Sequence, residues 1–180
     1  MPELVSHEES LARRELFRSY RARRDRNWIE VTGSSMLPSL RHGDSLLVEF
    51  GAVEPRLGDI AVFEAPRGIV VHRVVRHVTV AGAVCIQTKG DARLDFDAPV
   101  HADDVLGIVR SVRAGADGPS SDGACTGLRA RAIAAVSASV GLGEAWAREP
   151  PVARVPGLRR IGARAARAAQ SLAARVLRTA

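Results

Sequence analysis

Residues 59–90 read DIAVFEAPRGIVVHRVVRHVTVAGAVCIQTKG, three short runs rich in Val and Ile bounded by Asp59, Pro66, Gly68, Gly82 and Gly90. β-branched residues fit a pleated, half-buried surface, and Gly and Pro punctuate the turns between such runs, so the stretch predicts three successive strands. The same texture extends outward through WIEVTG (28–33) and DSLLVEF (44–50) on one side and VLGIVRSV (105–112) on the other. Six or so short strands with turn signals between them predict a mainly β chain, with one compact β domain over residues 27–113, closed or nearly so.

The flanks read differently. Residues 1–26 carry the capping-box spacing Ser6 to Glu9, and Leu11, Leu16, Phe17 and Tyr20 recur at helical spacing among arginines. They predict an amphipathic N-terminal helix from residue 7 to about residue 24. Residues 114–127, AGADGPSSDGACTG, are small, polar and Gly-rich, a linker by composition. Residues 128–180 form an Ala/Arg-rich tail, in which the stretches 128–147 and 157–179 are parted by Pro150, Pro151 and Pro156. Alanine is the best helix former, so a helical hairpin is expected. In the second stretch Arg160, Arg164, Arg167, Arg175 and Arg178 face away from Leu158, Ile161, Ala165, Ala168, Leu172 and Val176.

Composition bounds the function classes. With 180 residues, 46% hydrophobic and 26% charged, the chain has room for one domain with extra helix, and collagen-like or wholly disordered classes are excluded. Cys85 and Cys125 cannot build a disulfide framework and lack zinc-site spacing, which points to a reducing compartment. The net charge of +6 is uneven: +2 over residues 1–26, −2 over 27–113 and +6 over 114–180. A basic tail suits nucleic acid, an anionic membrane surface or an acidic partner. The chain shows neither an uninterrupted apolar run of about 18 residues nor a secretory signal, so the expected location is the cytoplasm, with peripheral membrane contact through the Arg-rich helices. Nucleic acid is not expected, since helix-turn-helix, zinc-finger and aromatic-platform patterns are missing.

Chemistry gathers in the β domain. Gly33-Ser34-Ser35-Met36-Leu37-Pro38 is a tight turn that exposes serine, and Gly43-Asp44, Gly58-Asp59, His72-Arg73 and Gly90-Asp91 follow in order. A serine hydroxyl needs an adjacent base to act as a nucleophile, and histidine or a desolvated lysine is the usual one. Lys89 is the single lysine, next to the Gly90-Asp91 turn. Strand alternation puts Val70, His72 and Val74 on one face and Val71, Arg73 and Val75 on the other. A buried histidine there needs an orienting partner, and Asp97 or Asp91 could serve. Asp44 and Asp59 read as turn residues. Ser34 is the second choice for the nucleophile. His42, His77 and His101 have no metal-ligand spacing, so neither a metal nor another cofactor is expected.

These ordered boxes, over about residues 30–110, resemble those of the type I signal peptidases and their LexA-like relatives. The resemblance implies that Ser35 is the nucleophile and that His72 stands where most members have a lysine base. The endoplasmic-reticulum and archaeal signal peptidases show the same substitution, and their additional aspartate falls on Asp97 when counted from Gly90-Asp91. Gly90 and Asp91 would support the site, with Gly33, Ser34 and Met36 shaping the nucleophile turn. Gly33 stands where many signal peptidases offer an oxyanion-binding hydroxyl, so backbone N–H groups such as that of Ser35 would take that task. The family's membrane anchor before the serine is replaced here by an Arg-rich helix. The expected function is therefore a serine endopeptidase acting on a peptide or protein substrate in specialised precursor processing. Self-cleavage of the LexA type, and a non-catalytic module that binds membrane or nucleic acid, are the alternatives.

Overall fold

The computed structural model describes residues 7–115, 118–121 and 130–139. Helix α1 (His7–Arg23) leads into β1 (Arg26–Glu30), β2 (Ser45–Phe50), β3 (Ile60–Ala65), β4 (Gly68–Val80), β5 (Ala83–Lys89), β6 (Val100–His101), β7 (Val105–Arg113) and β8 (Ser120–Ser121). A single 3-10 turn, Ala102–Asp104, joins β6 to β7, and residues 130–139 form a second helix, α2. All strand pairs are antiparallel in the order β1-β2-β7-β3-β4-β5-β6, with β8 added to β7. Among the described residues the pairing path ends at β1 and β6, so of the two forms the sequence allowed, closed or nearly so, hydrogen bonds do not give the closed one.

Alternation along β3 builds two cores. Ile60 and Val62 join Leu46, Val48, Phe50, Leu106 and Val109 on one face, while Ala61 and Phe63 join Val74, Ile86, Val100 and Val105 on the other. Helix α1 seals the first core with Phe17, whose ring meets Phe50 edge-on at 5.3 Å, and Tyr20 stands 5.2 Å from the same ring. The two Gly-Asp steps form one kind of turn. Asp44 Oδ2 accepts from the Arg41 N–H at 2.7 Å and Asp59 Oδ2 from the Arg56 N–H at 2.8 Å, each starting the strand that follows. Both aspartates are turn residues, as their sequence context suggests.

The ends of the chain refine the sequence reading. Ser6 of the capping box, the linker residues 116–117 and 122–127, the tail residues 128–129 and the Arg-striped stretch 157–179 lie outside the described residues. Within the segment expected to be linker, Ser120 and Ser121 pair with Arg113 and Val112. Nor does the start of the tail stand apart from the domain. Ala130, Ile133, Ala134 and Ser137 of α2 are buried. At Gly58, whose φ is +97°, an added Cβ would sit 2.8 Å from the backbone of Ala130 and Arg131, so only glycine lets α2 approach so closely.

Candidate active site

The strand registers decide which side chains meet. On β4, His72 and Val74 share a face, and Val74 pairs with Thr88 of β5, so His72 and Thr88 project to the same side. Arg73 pairs with Lys89, which sends both of those side chains to the opposite face. A bulge then leaves Val75 as the extra residue between the pairs Val74–Thr88 and Arg76–Gln87, and Val75 is buried.

On the His72 face a hydrogen-bonded chain of three side chains forms. His72 Nε2 lies 2.9 Å from Ser35 Oγ, and His72 Nδ1 lies 2.6 Å from Asp97 Oδ2. A carboxylate oxygen only accepts, so Nδ1 carries the proton and Nε2 is left to accept from the Ser35 hydroxyl. The ring is buried and meets Phe63 edge-on, with centroids 6.4 Å apart. Asp97 is fixed in turn by β5: Thr88 Oγ1 donates to Asp97 Oδ2 at 2.7 Å, the Asp97 N–H donates to the Thr88 carbonyl at 2.9 Å, and Gln87 Nε2 donates to the Asp97 carbonyl at 3.0 Å. Of the two aspartates the sequence left open, Asp97 reaches His72.

Asp91 works on the other face. Its carboxylate accepts from Arg73 Nε at 3.0 Å and from Arg73 Nη2 at 2.8 Å, both side chains being fully buried, while Arg73 Nη1 donates to the Gly58 carbonyl at 2.9 Å. That pair anchors the Gly90 turn. The Ala92 N–H donates to the Ser35 carbonyl at 2.8 Å, tying the turn to the nucleophile loop. A Cβ on Gly90 would lie 2.7 Å from the Ser35 carbonyl oxygen and 3.0 Å from His72 Nε2, so this position must lack a side chain for serine and histidine to meet.

Ser34 is exposed and its carbonyl accepts from the Leu37 N–H, whereas Ser35 faces the ring. Met36 is buried in the first core and its carbonyl accepts from the Leu40 N–H, which braces the loop from below. Space is open beside Gly33, where an added Cβ would meet nothing within 4 Å. A cleft of about 230 Å³ runs alongside Ser35 and His72 between residues 29–33 and 69–72. Ile29, Val31, Ile69 and Val71 make its walls apolar, and Arg13 of α1 borders it.

Residues 4–87 match the Peptidase S24-like family model. The matched stretch contains α1, Ser35 and His72 and stops before Gly90, Asp91 and Asp97. It supports placement in the LexA and signal-peptidase-like superfamily and, with that, an enzyme of the serine peptidase type. No curated protein matches the chain. Among the described residues no helix is long and apolar enough to cross a membrane, and no three His, Cys, Asp or Glu side chains group as metal ligands.

Sequence reasoning missed several contributors. Thr88 and Gln87 hold Asp97, and their signal was the β4–β5 register, which a strand pattern alone does not supply. The contact of α2 with the domain was hidden in an Ala-rich helix whose small side chains gave no strong apolar stripe.

Proposed function

We propose that this protein is a serine endopeptidase in which Ser35 is the nucleophile, His72 the general base and Asp97 the group that orients the ring. The Ser35–His72–Asp97 chain, with links of 2.9 and 2.6 Å, carries this reading. As Ser35 Oγ attacks the scissile carbonyl carbon, His72 Nε2 takes its proton, and Asp97 stabilises the resulting imidazolium. The backbone N–H of Ser35 holds the developing oxyanion, since Gly33 offers no hydroxyl. His72 then donates its proton to the departing amine, leaving an acyl-Ser35 ester. Water attacks that ester with His72 again as base, which releases the new carboxyl end and frees the serine.

The apolar cleft suits an extended peptide segment, and the substrate is a peptide or protein precursor cut in specialised processing. The pairing of serine with histidine resembles the endoplasmic-reticulum and archaeal signal peptidases rather than the serine–lysine members. Self-cleavage is the second reading, favoured by the match to the Peptidase S24-like model. Incubation with a mixed peptide library, read by mass spectrometry, tests the proposal: new termini should appear with wild-type protein and not with Ser35→Ala. Shortening of the protein itself, at a rate independent of its concentration, would establish the second reading instead.

A further inference from the structure

The face of the sheet behind the candidate site holds a polar cluster that the reaction above does not use. Lys89, the chain's single lysine, is fully buried there, and its Nζ lies 2.9 Å from the hydroxyl of Ser137, which is also fully buried on α2. Burial pushes the Lys89 ammonium down to about 8, while Asp91, Asp97 and Asp95 pull in the opposite direction. A buried cation is costly unless hydrogen-bonded, so the Ser137 hydroxyl has a clear physical task.

Helix α2 meets the network around the active turn at two points. Through Ser137 it bonds Lys89, which directly precedes Gly90, the residue packed against the Ser35 carbonyl and His72 Nε2. Through its backbone at Ala130 and Arg131 it rests on Gly58, whose carbonyl accepts from the Arg73 that holds Asp91. Both ends of the network that fixes the Gly90-Asp91 turn therefore abut the same helix.

We infer that α2 is part of the catalytic unit and that Ser137, acting through Lys89, is a positioning residue for the Gly90 turn on which Ser35 and His72 meet. The inference rests on the peptidase reading. It also implies that cutting the chain after Gly127 costs activity, because that cut removes α2.

The test uses the full chain with Ser137→Ala, Ser137→Thr and the double variant Lys89→Met/Ser137→Ala, all compared with wild type. Ser137→Ala leaves Lys89 without this hydroxyl. Ser137→Thr keeps a hydroxyl, and the double variant removes both polar partners, an exchange that can be nearly neutral for folding where a single loss is not, so it separates the link from the fold. The expected result is about a tenfold fall in kcat for Ser137→Ala with KM unchanged, corresponding to about 1.4 kcal/mol. Ser137→Thr should recover most of it, whereas the double variant, which lacks the link from α2 to the turn altogether, should stay low. Wild-type kcat in folded Ser137→Ala, or a loss that follows only the fraction of protein unfolded in a parallel melt, would overturn the inference. Absence of cleavage by wild-type protein would instead count against the peptidase reading itself.

Discussion

The Asp97 carboxylate lies 2.6 Å from Nδ1 of His72, and the same oxygen accepts from Thr88 Oγ1 at 2.7 Å. A carboxylate held by two donors from adjacent strands keeps the imidazole in one tautomer, with Nε2 toward Ser35. Asp97→Asn should therefore lower kcat by roughly 10²- to 10⁴-fold, by allowing the ring to present the wrong nitrogen, while leaving the fold intact. Thr88→Val should cost less, since it removes a support of the carboxylate and not the carboxylate. Steady-state kinetics of the two variants checks the order; equal losses would mean that Thr88 has a role of its own.

Ser35→Ala and His72→Ala should each abolish cleavage, and the double variant should be no worse than either alone, because nucleophile and base act as a unit. Ser34→Ala should retain activity, its residue being exposed while Ser35 Oγ is the hydroxyl that meets the ring.

The buried pair of Arg73 and Asp91 is a stability element. Asp91→Ala leaves a guanidinium buried without its carboxylate and should cost about 3–5 kcal/mol in a urea melt. Cleavage should fall as well, because the Gly90 turn loses its anchor. A cost near zero would show that the turn is held by other contacts.

Much of this was readable from the residues. Val- and Ile-rich runs with Gly and Asp between them located every long strand, and alternation placed His72 and Arg73 on opposite faces before any pairing was known. Asp97 against Asp91 could not be decided that way. Both lie after β5, and the choice depends on the cross-strand register that puts Thr88 on the face of His72 and Lys89 on that of Arg73. Whether the sheet is closed or only nearly so stayed open for a similar reason, since strand count does not state whether β1 and β6 meet. The packing of α2 was invisible because alanine and serine sit equally well on a solvated helix and on a close backbone contact such as that at Gly58.

Lys89 gives stability a pH dependence of known sign. Its folded-state value of about 8 lies below the ordinary 10.5, so between those limits the unfolded chain holds the proton more tightly. Stability should rise as pH increases through that window, by a total of order 3 kcal/mol. The charges acting on the ammonium are those of Asp91, Asp97 and Asp95; cross-strand Arg73 and the Ser137 hydroxyl of α2 share its face. Urea melts at about pH 7.5 and about pH 10 should show the rise in wild type and its loss in Lys89→Met. An unchanged slope in the variant would assign it to another group.

The Arg-rich stretch 157–179 carries a separate expectation. Its apolar side is mostly alanine, so attraction to a membrane would be largely electrostatic, about 1 kcal/mol per basic residue near an anionic leaflet and screened by salt. Full-length protein should float weakly with anionic liposomes at low salt and not at high salt. A chain ending after residue 139, which keeps α2, should lose flotation and keep cleavage. Equal flotation of both would place the membrane contact elsewhere.

The most direct test of the central claim is covalent labelling with a fluorophosphonate probe, which reacts with a serine whose proton a neighbouring base accepts. Wild-type protein should carry a single adduct, mapped by mass spectrometry to Ser35, and neither Ser35→Ala nor His72→Ala should be labelled. Labelling of Ser35→Ala equal to that of wild type, or no labelling of folded wild-type protein, would contradict the account.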